Sequence, residues 1–489
     1  MDRTVSIARP RRHLLLLALS LAGLVAAAQP PSRQWLPGDS HIHSHWSPGY
    51  DRKTTPPTPI PGGDARYATP LNARMAEKFG LAWMVTTDHG GPNHAKLNLS
   101  QAYPELQQSR ALVPGVVQFY GQELNLPGMD HHTLIIPRAD DEAQVLFEIE
   151  SRFDANETWP VDPARRTEAK RVEALTYLQA LPRLPLMFAN HPSRSAKGAG
   201  TYGADEPWEF RQNYDAAPKV YRGMEGGPGH QAGGLIADDS EDGSHDAQMG
   251  HRGGYGGVNA GTMGGFDRMT AIVGGLWDSL LGEGRRFWIV ASSDSHVHNS
   301  EAIDPGSDFW PGEFHKTYVH ARKSHDDILD GLRDGRMFVV AGDLITGLEV
   351  TATGGGDRAG IGETLRVTKG TDVELTIRFT DPVEANHHGD TPDVARVDLI
   401  VGDVRGPASD RHADRNDTTR VRNRFDAKRW SKDGADSVIT TTIGAVRGDI
   451  YLRIRGTNGA AVEPEMDPSG ENPWTDLWFY SNPIFIEVK

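Results

Sequence analysis

Short apolar runs alternate with stretches of helical periodicity from Gln34 to about Leu344. The runs have the length and composition of buried strands, and they are Leu81–Thr86, Val116–Tyr120, Thr133–Ile136, Leu186–Ala189, Val220–Met224 and Phe287–Ala291. The helical stretches between them include Asn72–Phe79, Glu142–Phe153 and Arg166–Leu181. Strands that alternate with helices predict a parallel α/β sheet or barrel. No glycine-rich phosphate loop follows the first strand, which argues against a nucleotide-binding doubly wound fold.

The sequence changes character after about Ile345. Segments in which apolar and polar residues alternate are separated there by Gly, Asp and Asn clusters, and these segments are Val373–Phe379, Ala395–Val401, Ile450–Arg455 and Ile484–Val488. This pattern predicts an antiparallel β-sandwich-like domain over residues 346–489. Only three of the 20 histidines lie in that part. Histidine chemistry is therefore expected in the first domain, residues 29–345.

The N-terminus has the features of a secretory signal peptide over residues 1–28. Arg11 and Arg12 precede an apolar run from Leu14 to Ala28, which ends in three alanines. We therefore expect an exported protein, periplasmic or extracellular, with no stable membrane association after cleavage. A retained N-terminal anchor is the alternative. The two arginines alone do not decide between the general and the twin-arginine export routes.

The overall charge bears on the kind of partner. The chain has a formal charge of −15, and cleavage after Ala28 lowers it to −18, because four arginines and one aspartate are removed. Such an acidic protein lacks the electrostatic footprint of generic nucleic-acid binding. We therefore expect a small phosphorylated substrate and no nucleic acid, since bound metal cations can override the net charge locally. The sequence leaves the oligomeric state open.

A glycine-rich segment spans residues 223–265, where 15 of 43 residues are glycine. Loops of this length inside a compact domain are usually functional or disordered. Two interpretations are open: a loop over the mouth of the barrel, or an excursion on the surface.

Polar motifs stand at or near the ends of the predicted strands, where barrel active sites are built. They are Gly38–His45, Thr86–Gly90, Gly121–Glu123, Asp130–His132 followed by Asn190–Arg194, and Ser292–His296. Residues i and i+2 of a strand point the same way, so His41 and His43 face one site, and Asp294 and His296 repeat this spacing. Because the chain has no Cys, a metal must be held by His, Asp and Glu, which suit Zn, Mn or Fe(II).

These motifs, in this order, resemble those of the PHP (polymerase and histidinol phosphatase) family over roughly residues 36–345: H-x-H, T-D-H, a strand-end Glu, a strand-start His, N-H-P and D-x-H. The resemblance implies a distorted (β/α)7 TIM-like barrel that holds two or three divalent metal ions and typically hydrolyses phosphate esters. It implies metal ligation by His41, His43, His89, Glu123, His131, His191, Asp294 and His296. His131 is preferred to the neighbouring His132.

The resemblance also implies roles for these residues. His41, His43 and Asp294 would bind the first metal, with Glu123 bridging; His89 and His296 would bind the second; and His131 and His191 would complete the third. Asp88, beside a ligand, is a candidate partner of the ligands or proton carrier. Arg194 is a candidate to hold a phosphate oxygen.

One segment departs from the family pattern. The family usually has Ser-Asp-Gly or a His shortly after H-x-H, whereas this chain has Pro48 there, which cannot be a ligand. We expect Asp51 or His45 to substitute, or the second metal to be held weakly, so the number of ions is open. Glu225 and His230 follow a later strand, where they either touch the site or, in the case of Glu225, are satisfied inside the barrel.

Three functions follow. The first is an exported metal-dependent phosphoesterase, a phosphatase or a phosphodiesterase. The second is an amidohydrolase-like enzyme that cleaves C–N or C–O bonds; such enzymes also begin with H-x-H but normally have a strand-end Lys that carries a bridging carboxylate, where this chain has Glu123. The third is a non-catalytic metal- or partner-binding protein.

Overall fold

The structure, a computed structural model, describes residues 1–2, 32–196, 202–233, 261–297, 308–468 and 471–489. Arg33–Lys489 form one compact unit. The predicted signal peptide lies outside the described residues apart from its first two positions, and so does most of the glycine-rich segment. Within the described ranges, no helix has the length and apolar character that a membrane span requires.

The first part of the compact unit alternates strands with helices. Its strands are β1 (Gln34–Ile42), β2 (Gly49–Asp51), β3 (Thr58–Ile60), β4 (Trp83–Thr86), β5 (Val117–Asn125), β6 (His131–Ile136), β7 (Leu186–Ala189), β8 (Tyr221–Pro228), β9 (Trp288–Ser292), β10 (His315–Ala321) and β11 (Met337–Ala341). Its helices are α1 (Thr69–Lys78), α2 (His94–Leu97), α3 (Tyr103–Leu112), α4 (Glu142–Phe153), α5 (Glu168–Gln179), α6 (Pro207–Ala216), α7 (Gly229–Gly233), α8 (Arg268–Ala271), α9 (Leu276–Gly282) and α10 (His325–Asp334). A π-helical turn (Asn98–Ala102) and a 3₁₀ turn (Pro163–Arg166) complete it.

Seven strands of a large mixed sheet carry the motifs or their flanks, in the order β1, β4, β5, β6, β7, β8, β9. Their pairs are parallel except at β6, which is antiparallel to both β5 and β7. The prediction of a parallel sheet is therefore wrong at this strand. Only residues 126–130 connect β5 to β6, and so short a connection permits only an antiparallel pair, since a parallel crossover needs a dozen residues or more.

The ends of the first and last of these strands lie side by side. The backbone N–H of Asp294 donates to the carbonyl of His41 (2.9 Å), and that of His43 donates to the carbonyl of Ser295 (3.1 Å). Elsewhere along its length β1 pairs antiparallel with β10. The first and last motifs of the sequence are consequently neighbours in space.

The glycine-rich segment begins with regular structure rather than with a loop. Strand β8 continues through Glu225 to Pro228, and α7 follows it. Glycine is needed here for close packing: a Cβ on Gly223 would lie 2.1 Å from the Trp288 carbonyl oxygen, and one on Gly227 would lie 2.9 Å from the Ala291 Cβ. The interpretation of residues 223–228 as loop is wrong, because these glycines let β8 approach β9.

The C-terminal part is all β. Its strands are β12 (Gly347–Gly354), β13 (Asp357–Ala359), β14 (Thr364–Val367), β15 (Val373–Thr380), β16 (Arg396–Asp403), β17 (Arg420–Asp426), β18 (Ser431–Asp433), β19 (Asp436–Ile443), β20 (Ile450–Thr457), β21 (Trp478–Ser481) and β22 (Ile484–Val488). A separate antiparallel sheet has the order β13, β12, β15, β19, β18. The other C-terminal strands extend the large sheet, because β21 pairs with β11. The domain boundary at residue 345 stays a prediction.

The largest cluster of buried hydrophobic side chains runs through both parts. Trp288 of β9, Val339 of β11, Leu375 of β15 and Ile454 of β20 belong to the same cluster of buried side chains. The predicted alternation is visible in β12, where every second residue is buried. The C-terminal strands therefore support the sheet from which the polar motifs emerge.

A buried ion pair between His94 and Glu150 joins α2 to α4. We expect this pair to make the stability of the fold depend on pH. Burial alone lowers the pKa of His94, but Glu150 outweighs it and raises the pKa to about 9. Their closest atoms, His94 Nδ1 and Glu150 Oε1, are 2.5 Å apart, and the Trp46 carbonyl and the charge of Asp88 also favour the imidazolium. A raised pKa stabilises the fold fully below the unfolded value near 6.5, and this stabilisation is lost as the pH rises to 9.

We therefore expect the wild type to be more stable than His94→Gln at pH 6, and this advantage to shrink by up to about 3 kcal/mol by pH 9. Urea unfolding in a chelating buffer at the two pH values measures it. His412→Gln, at an exposed histidine of the C-terminal part, is the control and should show no such trend. An advantage that grows with pH would contradict the assignment.

Candidate metal centre

Strand ends bring the predicted residues together. His41 lies at the end of β1 and His43 just beyond it, Glu123 lies in β5, and His131 begins β6. His89 follows β4 and forms a parallel bridge with Glu123. Because β6 runs antiparallel to its neighbours, its first residue lies at the same edge as the last residues of β5 and β7.

The first group consists of His41, His43, Glu123 and Asp294, all buried. The two Nε2 atoms of the histidines are 3.0 Å apart. Both lie 3.0–3.2 Å from Asp294 Oδ1 and 3.3–3.4 Å from a carboxylate oxygen of Glu123. Ligands about 2.0–2.1 Å from a tetrahedral zinc ion lie about 3.3 Å from one another. The spacing of these ligand atoms therefore suits a divalent metal ion.

A second group is formed by His89, Glu123 and His131. His89 Nδ1 lies 2.8 Å from Glu123 Oε2, and His131 Nδ1 lies 3.1 Å from Glu123 Oε1. His191 Nε2 reaches the same Oε1 at 3.0 Å. The carboxylate of Glu123 thus lies between the first group and these three imidazoles, which is the position of a bridging ligand.

The third group contains a residue that the sequence analysis missed. His43, Asp64, His89 and His296 place ligand atoms within 4.8 Å of one another. Asp64 Oδ2 lies 3.6 Å from His296 Nε2 and 3.8 Å from His89 Nε2. A fourth combination, His230 with Asp294 and His296, meets the same distance criterion. His230 was noted in the sequence as a marginal candidate, and its Nδ1 lies 3.2 Å from Asp308 Oδ1.

Asp64 reaches the site on the segment that follows the β2–β3 hairpin. The Ser47 hydroxyl donates to Asp64 Oδ2 (3.0 Å), and the Ala65 N–H donates to the Ser47 carbonyl (3.4 Å). The two residues expected to replace the ligand missing at Pro48 make other contacts. His45 pairs with Glu105, and Asp51 accepts a hydrogen bond from the Lys53 N–H. Asp64 comes sixteen residues after Pro48. It reaches the ligand histidines only because the β2–β3 hairpin leads the chain back to them, and no local sequence spacing indicates this.

Asp64 provides a test of this correction. Since Asn is a weaker ligand of the same size, we expect Asp64→Asn to retain about one metal ion fewer per chain after dialysis. Asp51→Asn, a matched change on the preceding hairpin, should retain the wild-type content. Elemental analysis measures both. If Asp51→Asn lost metal and Asp64→Asn did not, Asp51 would be the ligand, as the sequence analysis expects.

In this site the pKa of a buried carboxylate, Glu123, and that of a neighbouring histidine, His43, shift in opposite directions. Burial raises the pKa of Glu123, but His131, His89 and His41 outweigh this and hold it well below its usual range. Burial lowers the pKa of His43, but Asp294 and Glu123 outweigh this and raise it to about 9. His43 thus acts as a cation beside these two carboxylates, a role that a bound metal ion would take over.

Two buried oxygens support the metal assignment independently of distance. Glu123 Oε2 and Asp294 Oδ1 accept no well-aligned hydrogen bond from the described residues, although ring nitrogens lie 2.8–3.3 Å away. Buried charged oxygens are rarely left without a partner. Ring nitrogens and oxygens aimed at a common point rather than at one another are what a metal site requires. The residues present therefore fit divalent ions.

Further side chains fix the ligands. Glu225 Oε1 lies 3.2 Å from His41 Nδ1, and its Oε2 accepts from the His191 N–H (2.7 Å). The Ser292 hydroxyl also donates to Glu225. Asn190 donates to Glu123 Oε1 (2.9 Å). Carboxylates that bind the second ring nitrogen of a ligand histidine orient the ring and raise its basicity.

The remaining candidates lie beside the centre. Both carboxylate oxygens of Asp88 accept hydrogen bonds from Ser44 (2.6 and 2.9 Å), so Asp88 holds the turn after β1. Arg194 makes a bidentate pair with Asp130 (2.6 and 3.0 Å), and its Nη2 lies 3.4 Å from His131 Nδ1. His132 points away from the centre, with its Nε2 3.3 Å from the hydroxyl of Tyr221. Burial lowers the pKa of His132 to about 3.

Comparisons with known proteins give little detail. No family model matches the chain, and no curated protein matches it. Among solved structures, it resembles a crystal structure of Endonuclease Q in complex with a 27-mer duplex substrate that has an abasic lesion at the active site. The match has 12% sequence identity and a TM-score of 0.31, and it covers 62% of this chain and 56% of that chain. The chain thus matches little more than half the length of Endonuclease Q.

The expected partner needs correction. The sequence analysis predicted a small phosphorylated substrate and no nucleic acid, whereas the Endonuclease Q structure contains a duplex substrate. The prediction is contradicted by that comparison.

Proposed function

We propose that this protein is a metal-dependent hydrolase of phosphodiester bonds, similar to the PHP family. The observation that carries the proposal is the overlap of the ligand groups: five residues each belong to two of them, namely His43, His89, Glu123, Asp294 and His296. Shared ligands hold metal ions close together, and closely spaced divalent ions are typical of enzymes that cleave phosphoester bonds. An isolated structural ion would not need these overlapping groups.

We further propose that β1 and β4–β9 close into a distorted seven-stranded barrel, with the C-terminal strands forming a sandwich-like domain. The bonds between the ends of β9 and β1, Asp294 N–H to His41 O and His43 N–H to Ser295 O, support closure. In such a barrel the polar motifs share one mouth. Export with residues 1–28 as the signal, and Zn, Mn or Fe as the metal, complete the proposal.

The buried and the partly exposed ligands would have different roles. The ions, when bound, supply Lewis acidity and a lowered pKa for coordinated water. His41, His43 and Glu123 are fully buried, whereas His89, His131 and Asp64 are 22%, 20% and 39% exposed. Substrate would therefore approach from the exposed side and meet that second set.

Arg194 is positioned to act on that exposed side. Its guanidinium lies against His131 and is held there by Asp130. Fixed in this way, the guanidinium would orient a non-bridging oxygen of the phosphodiester, and a side chain held in place loses little entropy on binding. Asp88 would act through the β1 turn as a positioning residue, because Ser44 occupies both of its oxygens.

The test combines elemental analysis of the purified protein with hydrolysis of bis(4-nitrophenyl) phosphate before and after chelation. We expect two or three ions per chain and nitrophenol release that chelation abolishes and Mn²⁺, Zn²⁺ or Fe²⁺ restores. Hydrolysis of 4-nitrophenyl acetate or a nitroanilide, without phosphodiester turnover, would move the assignment to C–O or C–N bonds. A protein that binds no metal after reloading would overturn the proposal.

A further inference from the structure

A cavity of about 330 Å³ lies outside the ligand groups. Tyr50, Arg52, Gly90, Gly91, Asn156 and Trp159 line it. Gly90 directly follows the candidate ligand His89. The volume is at the lower end of the range for small-molecule pockets, so the cavity can hold one ring system but not a long ligand.

Each wall of the cavity is attached to an element that carries a candidate ligand. Tyr50 is in β2, on the hairpin that precedes Asp64, and its hydroxyl is so close to Gly91 that a Cβ there would lie 2.3 Å from it. The segment that carries Trp159 is bonded to the end of β5 through Asp154, which accepts from the Asn125 backbone N–H (3.0 Å) and side chain (2.9 Å). Cavity and metal centre therefore have a fixed relative position.

The lining has an unusual set of free groups. Trp159 is 47% exposed, although large aromatic side chains are usually buried. The Tyr50 hydroxyl is buried and has no hydrogen-bond partner in the part of the chain that the structure describes. Burial also raises the pKa of Tyr50, so its hydroxyl keeps its proton and can donate. Arg52 contributes an exposed cation at the rim.

We propose that this cavity binds the planar ring of a substituent on the scissile phosphodiester, a nucleobase or another aromatic ring, with Trp159 as the specificity-determining residue. The inference rests on the proposed function for the position of the phosphate. The indole face of Trp159 stacks on the ring, and Arg52 lies near the adjoining anionic group. Stacking on aromatic side chains selects planar rings without demanding one sequence.

The test measures binding apart from hydrolysis. Isothermal titration of the Mn²⁺-reconstituted protein with phenylphosphonate and with methylphosphonate compares two probes that differ only in the ring. We expect the wild type to prefer phenylphosphonate by about tenfold, Trp159→Ala to lose this preference, and Trp159→Phe to retain most of it. Leu112→Ala, an exposed apolar residue on α3, is the matched control. Thymidine 5′-phosphate against 2-deoxyribose 5-phosphate then shows whether a nucleobase also adds affinity.

The outcomes separate this inference from the proposed function. A ring preference that depends on Trp159, without turnover of any phosphodiester, supports the cavity and overturns the hydrolase assignment. Turnover with equal affinity for both phosphonates overturns the cavity and leaves the assignment standing. In an active enzyme, Trp159→Ala should also raise KM for methyl phenyl phosphate about tenfold while KM for dimethyl phosphate is unchanged.

Discussion

Glu123→Gln is expected to abolish turnover and to strip the protein of most of its metal. The side chain is fully buried and lies within 3.4 Å of ring nitrogens from His41, His43, His89, His131 and His191. No other side chain in the described ranges has ion-pair distances to so many of the candidate ligands. Losses of about 10–100-fold in metal affinity or activity follow when a group that only supports a ligand is changed. A shared ligand should exceed that, so we expect more than a 100-fold loss of activity.

The chemical reason is that a negatively charged carboxylate, with two oxygens that can bind metal, becomes a neutral amide with one oxygen and one NH2 group. The new amide N–H groups point at imidazole nitrogens that must carry lone pairs toward a metal. The charge that balances two cations is also removed. Side-chain volume is almost unchanged, so the packing around β5 is kept. The variant therefore separates ligation from folding.

Elemental analysis and phosphodiester hydrolysis at fixed Mn²⁺ measure the effect. Glu142→Gln is a matched control, because Glu142 is also buried but pairs with Arg110 and Arg138 outside the site. This control should be less stable than wild type yet keep its metal content. If Glu123→Gln retained the wild-type metal content and rate, the bridging role and the overlap of the ligand groups would both be refuted.

Short-range patterns explain why much of the centre could be predicted. The i and i+2 spacing of His41 and His43 predicts that both rings face one site, and Glu123 belongs to a polar motif at the end of an apolar strand. These inferences need only strand periodicity and the meeting of neighbouring strand ends. The structure brings the predicted ligands within a few ångströms of one another.

Long-range and tertiary effects explain what was missed. Asp64 was overlooked because its position depends on how the hairpin that follows Pro48 returns over the site. The reversed direction of β6 follows from the length of one turn, and the glycines of β8 were taken for a loop because composition does not distinguish close packing from flexibility. The continuation of the large sheet into the C-terminal strands has no local signature at all.

That continuation predicts the largest effect on stability, at a buried ion pair outside the metal centre. Asp278→Ala is expected to lower the free energy of unfolding by about 3–5 kcal/mol. Asp278 of α9 and Arg453 of β20 form a fully buried pair, with Nε to Oδ1 at 2.9 Å and Nη2 to Oδ2 at 2.7 Å. Asp278 also accepts from the Tyr451 hydroxyl (3.0 Å) and the Gly274 N–H (2.7 Å).

The magnitude comes from what the truncation leaves behind. Arg453 is always charged, and without Asp278 its guanidinium would stay inside the protein with no anion beside it. Among the described residues, the Trp277 ring lies 4.6 Å from the guanidinium carbon. This cation–π contact compensates only weakly for the lost anion. Equilibrium unfolding in urea, with the metal removed, measures the loss directly.

A double replacement distinguishes a buried charge from lost packing. In Asp278→Leu/Arg453→Met both charges are absent, so we expect much of the stability lost in Asp278→Ala to return. Arg405→Ala, which breaks the exposed pair with Asp403, is the control and should change stability little. Since α9 leads into β9, and β9 into Asp294 and His296, unfolding of the variant should remain one transition. Two separate transitions would mean that the C-terminal strands fold independently and that the shared sheet does not couple them to the metal centre.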